Sequence, residues 1–384
     1  MARKLKSDKW LFTATLVLVC ASLVMVYSAS AVIAMERFHK PTYFLFKQAT
    51  FALLGLVLMA VLMKIDYRRY RQPAVIWTAL AIIGLALVGV LFGARINGAR
   101  RWFGVAGIGV QPSEFAKIVI IFFVAAILER RMDRIDDLRH SVFPIAIALG
   151  VFVGLILMQP DLGTALSIIV IVGTMVFAAG ISYRYIFGLL LVSLPAACVV
   201  LMSAGYRRRR MMVFLNPWQD PLGDGFQVIQ SLIAVGTGGV LGRGLMAGVQ
   251  KLFYLPYPET DFIYAVIGEE LGLAGATVIL ACFCVIAWRG LRTAMRAPDR
   301  FGALLALGLT TMISVQAFFN MSVVLGLLPT KGIPLPFVSF GGSSLLVSMI
   351  GMGILLNVSQ HASTTHVVTT VMEPVPVPVV TADA

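Results

Sequence analysis

Charge is scarce in this chain. Asp, Glu, Lys and Arg make up 13% of its 384 residues, against 59% hydrophobic residues. A water-soluble domain carries roughly a quarter charged residues and about half apolar ones, so that class is excluded. Histidine is scarcer still, with only His39, His140, His361 and His366. They show no HExxH or comparable spacing, which leaves a zinc hydrolase or a Ser-His-Asp enzyme with little support. The four cysteines, Cys20, Cys198, Cys282 and Cys284, all sit inside apolar runs. They read as small core residues rather than a disulfide framework. Acidic residues are outnumbered 18 to 31 by basic ones, a formal net charge of +13. No RNA- or DNA-binding motif accompanies that charge, so no nucleic-acid partner is expected. Most of the basic residues flank apolar runs, where anionic lipid headgroups account for them.

What the chain has in quantity is long apolar sequence. A bilayer core needs about 20 consecutive apolar residues per helix. Such runs fall near 10–33, 43–63, 74–92, 111–128, 142–158, 162–179, 185–202, 264–288, 301–325 and 337–358. They predict an all-α polytopic membrane protein with about ten transmembrane helices. A long loop, 203–263, joins helices 7 and 8. The expected organisation is a short N-terminal segment (1–9), a transmembrane domain (10–360) and a disordered Val-Pro tail (361–384). The first run lacks a small-residue cleavage site and reads as a retained span rather than a signal peptide. There is no internal repeat of the kind that marks inverted-repeat transporters.

The Lys/Arg bias of short loops puts both termini in the cytoplasm, with about seventeen basic residues inside and about thirteen outside. The outside set is concentrated at Arg95, Arg100 and Arg101, at 207–210, at Arg243 and Lys251, and at Lys331. Positive charge kept on the disfavoured side points to an anionic substrate or lipid headgroup there. For the 207–210 run, a solvated loop touching lipid phosphates is the simpler alternative.

Within the long loop, 226–252 is apolar but interrupted by six glycines, and it reads as an interfacial or re-entrant helical hairpin. GTGGVLGRG at 236–244 lacks the GxxxxGK[ST] order and follows no strand, so a nucleotide site is not expected.

With so little histidine, acid–base chemistry on the outer side falls to a carboxylate. The candidates are Glu36, Asp161, Asp220, Asp224, Glu259 and Asp261, with Glu114, Glu269 and Glu270 inside spans. Asp261 stands at the mouth of a helix, where an N-cap role alone would explain it. Glu259 is consistent with a solvated loop charge, Asp161 with a cap on the sixth span, and the two embedded neighbours Glu269 and Glu270 with a structural pair. Glu114 and Lys117 are spaced i, i+3 and share a helix face. They are either functional, as embedded ionisable groups usually are, or a buried pair that fixes helix packing.

Six ordered motifs resemble the FtsW/RodA (SEDS) family over nearly the whole chain. They are INGARRWFG (96–104), QPSEFAK (111–117), QPDLGTA (159–165), NPWQDPLGDGFQVIQS (216–231), TDFIYAVIGEELG (260–272) and GLLPTKGIPLPFVSFGGSS (326–344), with Asn320 six residues ahead of the last. The resemblance implies a glycosyltransferase that polymerises lipid II, a disaccharide-pentapeptide on undecaprenyl pyrophosphate, into β-1,4-linked glycan strands. It aligns Asp261 with the family's essential Asp, and Trp102, Glu114, Lys117 and Lys331 with other important positions. The PTKG form points to the division branch over the elongation branch. Arg95, Arg100, Arg101, Arg207, Arg210 and Arg243 are the further cations expected to hold pyrophosphate, and Ser339 belongs to the signature beside them. Two departures stand out. Phe253 and Tyr257 flank Tyr254–Pro256 where relatives often carry Glu, and Phe340 replaces a signature Tyr.

The family implies a class B penicillin-binding transpeptidase and other divisome membrane proteins as partners. It also implies a site at the septum of a bacterial cytoplasmic membrane, with the chemistry on the outer side. No cofactor is called for, although a divalent ion (Mg or Mn) is compatible with a pyrophosphate leaving group. A lipid II flippase and a non-catalytic divisome scaffold are the alternative functions.

Overall fold

The computed structural model describes residues 7–93, 95, 99–105, 108–132, 142–185, 187–188, 191, 205, 209, 213–223 and 225–362. Apolar sequence forms helix wherever a start signal precedes it. Asp8 accepts from the amides of Trp10 and Leu11 and opens α1 (Lys9–Phe38). α2 (Tyr43–Leu62) follows. Proline at the first position starts both α3 (Pro73–Leu91) and α4 (Pro112–Arg131). Its fixed φ suits a helix start, and its missing N–H has no helical partner there anyway. A two-stranded hairpin, β1 (Phe103–Val105) and β2 (Ile108–Val110), pairs Gly104 with Gly109 just before α4. α5 (Val142–Met158) and α6 (Leu162–Ala178) meet at Asp161, which accepts from the Thr164 amide and caps α6 as its sequence position implied.

The later elements are α7 (Phe226–Gly238), α8 (Ile263–Arg296), α9 (Arg300–Val324) and α10 (Gly342–Ala362). Among the described residues, α1, α2, α3, α8, α9 and α10 are long and apolar enough to cross a membrane. α5 and α6 are apolar but shorter. α4 is interrupted by charge, yet it is buried on nearly every face. It packs against α3, α6 and α9, so it is the central helix of the bundle. The seventh expected span, 185–202, lies largely outside the described residues, as do Arg207, Arg210, Asp224 and the tail beyond 362.

The long loop departs from expectation. The sequence suggested a helical hairpin over 226–252, but only its first half is helical. At about 20 Å, α7 is too short to span a bilayer. Gly239 ends it at φ 56°, and the chain then runs as turns to Ile263. These turns are laid against a break in α8. Gly272 adopts φ 66°, ψ −163° within that helix, and the helical bonding it forgoes is replaced across the loop. Leu273 and Ala274 donate to the carbonyls of Gly239 and Val240 at 2.9 and 3.0 Å, while Arg243 and Gly244 donate to Glu269 and Glu270 at 3.0 Å each.

The paired acids at the break also serve the loop. The Glu269 carboxylate accepts from the amides of Val249 and Gln250, and the Glu270 carboxylate accepts from the Met246 amide. Lys251 is buried with its Nζ 2.6 Å from Glu270 and 2.9 Å from the Ser28 hydroxyl of α1. Buried charge is tolerated when it is paired and fully hydrogen-bonded. Glu269 and Glu270 are thus the structural pair expected from sequence, used to hold a loop that has almost no regular structure of its own.

Candidate active site

Five of the six motifs meet at one end of the bundle, around the start of α8. The stretch just ahead of that helix is held through three successive carbonyls. The Phe340 amide donates to Glu259 O at 2.9 Å, the Ser339 hydroxyl to Thr260 O at 2.6 Å, and the Asn320 amide group to Asp261 O at 2.8 Å. Asp261 is half-buried. Phe262 stands at the cap position of α8, one residue after Asp261. The main chain of Asp261 is fixed by its neighbours, and its carboxylate points toward the segment that carries Lys331 and Gly332. A Cβ added to Gly332 would lie 2.9 Å from Asp261 Oδ2.

The 330–340 segment is strapped to α9 in turn. Asn320 donates to Ile333 O at 2.8 Å, and Gln316, one turn earlier on the same helix face, donates to Pro334 O at 2.9 Å. The Ser339 hydroxyl also accepts from the Leu335 amide at 2.7 Å. Below this lies the embedded pair. Lys117 Nζ is 2.9 Å from Glu114 Oε2 and 2.7 Å from Gln316 Oε1, and both ionisable residues are buried, 3% and 4% exposed. A chain of contacts thus runs from Glu114 through Lys117 and Gln316 to Pro334, and from Asn320 to Asp261. Gln316 and Asn320 were not marked as site residues by sequence reasoning. The available signal was two lone amides four residues apart in the otherwise apolar run of α9.

The other motifs border this corner. Gln111 donates to Asp161 at 3.1 Å and its amide to the Ser343 hydroxyl at 3.0 Å, which joins QPSEFAK to QPDLGTA and to the last signature. Gly163 packs on Ile333. Trp102 lies across the hairpin, its ring against Gly109.

The expected cations are placed differently from one another. Arg100 donates to Leu91 O at 2.7 Å, while Arg101 donates to Gln159 O at 2.8 Å and also to Pro160 O. Each guanidinium group therefore ties its own loop to the C-terminal end of one helix, α3 for Arg100 and α5 for Arg101. Arg243 is part-exposed, 3.8 Å from Glu269. Arg95 is exposed, and Lys331 is half-buried beside Gly332. Arg207 and Arg210 lie outside the described residues.

Glu259 corrects the sequence reading. It is not a solvated charge but is only 9% exposed, and its Oε2 meets no hydrogen-bond partner. Burial pushes its carboxyl above the usual carboxylate range, against the weaker opposing pulls of its own backbone amide and of Arg37 at the end of α1.

Chemically, the corner offers a half-exposed carboxylate on a fixed main chain, with basic residues around it and apolar helices below. Among the described residues no group of three or more His, Cys, Asp or Glu side chains comes together. The residues present therefore do not fit a protein cage for a divalent ion.

The chain as a whole is similar to several known proteins. A family model covering FtsW, RodA and SpoVE, described as cell cycle protein, matches residues 9–364. A Geobacter sp. (strain M18) protein named probable peptidoglycan glycosyltransferase FtsW is 45% identical over 89% of this chain and 94% of its own. Stage V sporulation protein E of Bacillus subtilis is 43% identical over 94% and 99%. Among solved structures, a chain of a peptidoglycan synthase complex that coordinates polymerisation and crosslinking matches with TM-score 0.77 at 31% identity, covering 93% of this chain and 99% of that one. The rod shape determining protein RodA of Thermus thermophilus matches with TM-score 0.69 at 27% identity, over 93% and 97%.

Proposed function

This chain belongs to the FtsW/RodA/SpoVE family, and from that premise we propose a peptidoglycan glycosyltransferase in which Asp261 is the catalytic base. The observation that carries the assignment is that Asn320 and the last signature stretch close on one residue. Asn320, Ser339 and Phe340 fix the peptide units at Asp261 and on its N-terminal side, and the Lys331–Gly332 segment faces its carboxylate.

The substrate is lipid II, with its undecaprenyl tail left in the bilayer. Asp261 takes the proton from the acceptor sugar's 4-hydroxyl. That oxygen attacks the donor's anomeric carbon as the bond to pyrophosphate breaks, and the leaving pyrophosphate takes the electron pair. One displacement inverts the carbon and leaves a β-1,4 link. Lys331, Arg243 and Arg95, with Arg207 and Arg210, are the cations we assign to the pyrophosphates. Arg100 and Arg101 shape the rim through the carbonyls they bind. Trp102 is placed at the same rim. Glu114, Lys117 and Ser339 act on substrate through the segments they hold. A divalent ion, Mg or Mn, would be carried by the pyrophosphate.

The site end of the bundle is taken as extracytoplasmic and both termini as cytoplasmic, with the protein at the division septum. The partner is a class B penicillin-binding transpeptidase, which the likeness to a peptidoglycan synthase complex supports, within a wider set of divisome membrane proteins.

The test is glycan synthesis from purified lipid II in liposomes, comparing wild type with Asp261→Ala, each alone and with the transpeptidase inactivated. Long strands from wild type and none from a folded Asp261→Ala protein are expected. Strand synthesis by that variant would sink the assignment. Lipid II transport with no polymer from either protein would favour a flippase.

A further inference from the structure

Glu259 is an outer-loop acid that the reaction above leaves unused. It lies two residues from Asp261 on the same held stretch. An exposed loop acid would turn to water, yet this one is nine-tenths buried, and one carboxyl oxygen has neither solvent nor a hydrogen-bond partner. A carboxylate with an orphaned oxygen is penalised by desolvation, whereas the neutral acid tolerates the site better. Its surroundings say why it stays. Its own carbonyl is anchored by the Phe340 amide. Phe340 is in turn packed edge-on against Phe44 of α2 at 5.0 Å. Leu255 and Pro258 are buried on the approach to it.

The charged and titratable groups of this corner are few. Arg37 acts on the carboxyl from the last turn of α1, but it is exposed and so screened. Glu36 and His39 lie at the same end of α1, and Glu36 lines a neighbouring apolar cleft with Met35 and Phe253. Asp261 and Lys331 lie on the segments that meet here, and α2 adds Tyr43 and Lys47 beside Phe44, with Lys47 Nζ 4.6 Å from the Tyr43 ring centre. α9 and the 335–340 segment contribute Asn320, Ser339 and Phe340 to this stretch, none of them ionisable over the working range.

We propose that Glu259 is a positioning residue for Asp261: as a buried neutral acid it seats the 259–261 carbonyls on Phe340, Ser339 and Asn320, and its ionisation unseats them. The inference rests on Asp261 being the base. The sign follows from burial, which raises this carboxyl in the folded protein. The seated form is therefore fully present at low pH and is lost as pH rises through the folded-state value. The ionised carboxylate must then reach water or Arg37. Either movement pulls on the Phe340 bond to Glu259 O and on the Ser339 bond to Thr260 O, and so shifts Asp261.

The experiment compares wild type with Glu259→Gln, which cannot ionise. Two readouts are taken between about pH 5 and pH 9. One is backbone hydrogen exchange of a peptide covering 255–262, corrected for intrinsic rates. The other is glycan synthesis from lipid II, normalised within each protein. Wild type is expected to lose protection in that peptide as pH rises. Its synthesis should fall in step, by about tenfold per pH unit beyond the midpoint. In Glu259→Gln both limbs should move to higher pH or vanish. Superimposable profiles in the two proteins would overturn the proposal, as would loss of protection without loss of synthesis. If Glu259→Gln fails to fold, the wild-type exchange titration decides alone: constant protection across the range overturns the proposal. Exchange does not depend on turnover. A chain that makes no glycan therefore fails the glycosyltransferase reading without obscuring this one.

Discussion

Asn320 bridges Asp261 and Ile333: one side-chain amide group donates to both carbonyls at 2.8 Å. It thereby sets the distance between the stretch that carries the proposed base and the segment that carries Lys331.

Replacing Asn320 with Ala removes both bonds and leaves two carbonyls to find water. About 1–3 kcal/mol of local stability is at stake. The larger expected effect is on rate, because a misplacement of about 1 Å at a reacting group can cost on the order of a hundredfold. Glycan synthesis should fall by about that factor, with detergent-solubilised melting lowered only slightly. Equal losses in melting and activity across a range of temperatures would mean that Asn320 merely holds the fold.

Gly332→Ala probes the same gap from the other side. The added methyl would stand 2.9 Å from Asp261 Oδ2, closer than carbon and oxygen tolerate, so the carboxylate must turn. Synthesis is expected to drop by roughly ten- to a hundredfold, with unchanged thermal stability. Wild-type turnover by this variant would show that Asp261 works in another orientation.

The Glu114–Lys117 pair gives a double-mutant test. Lys117→Met strands a buried carboxylate, and Gln316 loses its donor. A destabilisation of about 3–5 kcal/mol is typical for half of a buried pair. Removing both charges, as Glu114→Gln with Lys117→Met, should recover most of that stability. If activity stays low in the stable double variant, the pair is needed to set the 330–340 segment through Gln316. If activity returns with stability, its role is packing alone.

Gly272→Ala tests the loop's seat. The residue sits at φ 66°, where a side chain is strained, and a Cβ there would strike Gly242 N and lie 2.6 Å from Val240 O. The turns at 239–252 should detach, and new protease cleavage in that loop would report it. Retained protection would mean that the carboxylates of Glu269 and Glu270 suffice to hold the turns.

How far these features were legible in the sequence depends on how local they are. The apolar runs marked nine of the ten numbered helices, since a bilayer-length run leaves the backbone little choice, although α1 and α8 run about five and eight residues further and α10 starts about five residues later. The i, i+3 spacing of Glu114 and Lys117 and the cap at Asp161 were legible for the same reason, because each is settled within one turn of helix. The half-helix at 226–238 was read too long. Six glycines interrupting an apolar run suggested a helical hairpin, whereas those from 239 onward serve turns that bond to the broken α8. That pairing joins residues about thirty positions apart and leaves no periodic trace. Glu259 was misread for a related reason. Loop acids are usually solvated, whereas the carbonyl of this one is anchored by Phe340, about eighty residues further along the chain. Asn320 was legible only as part of the last signature's spacing and Gln316 not at all, until the fold set them opposite the carbonyls of 261, 333 and 334.

The embedded pair has one more consequence, for biogenesis. Lys117 finds its counter-charge on its own helix, three residues away, so α4 reaches the membrane with that charge already neutralised. It can enter the bilayer before α9 has been synthesised, and wait there. Gln316 arrives nearly two hundred residues later in the chain and exploits an ion pair that is already assembled. The order of synthesis thus matches the order in which the site can be built: the buried pair first, then the Asp261 stretch, then the segment that closes over it.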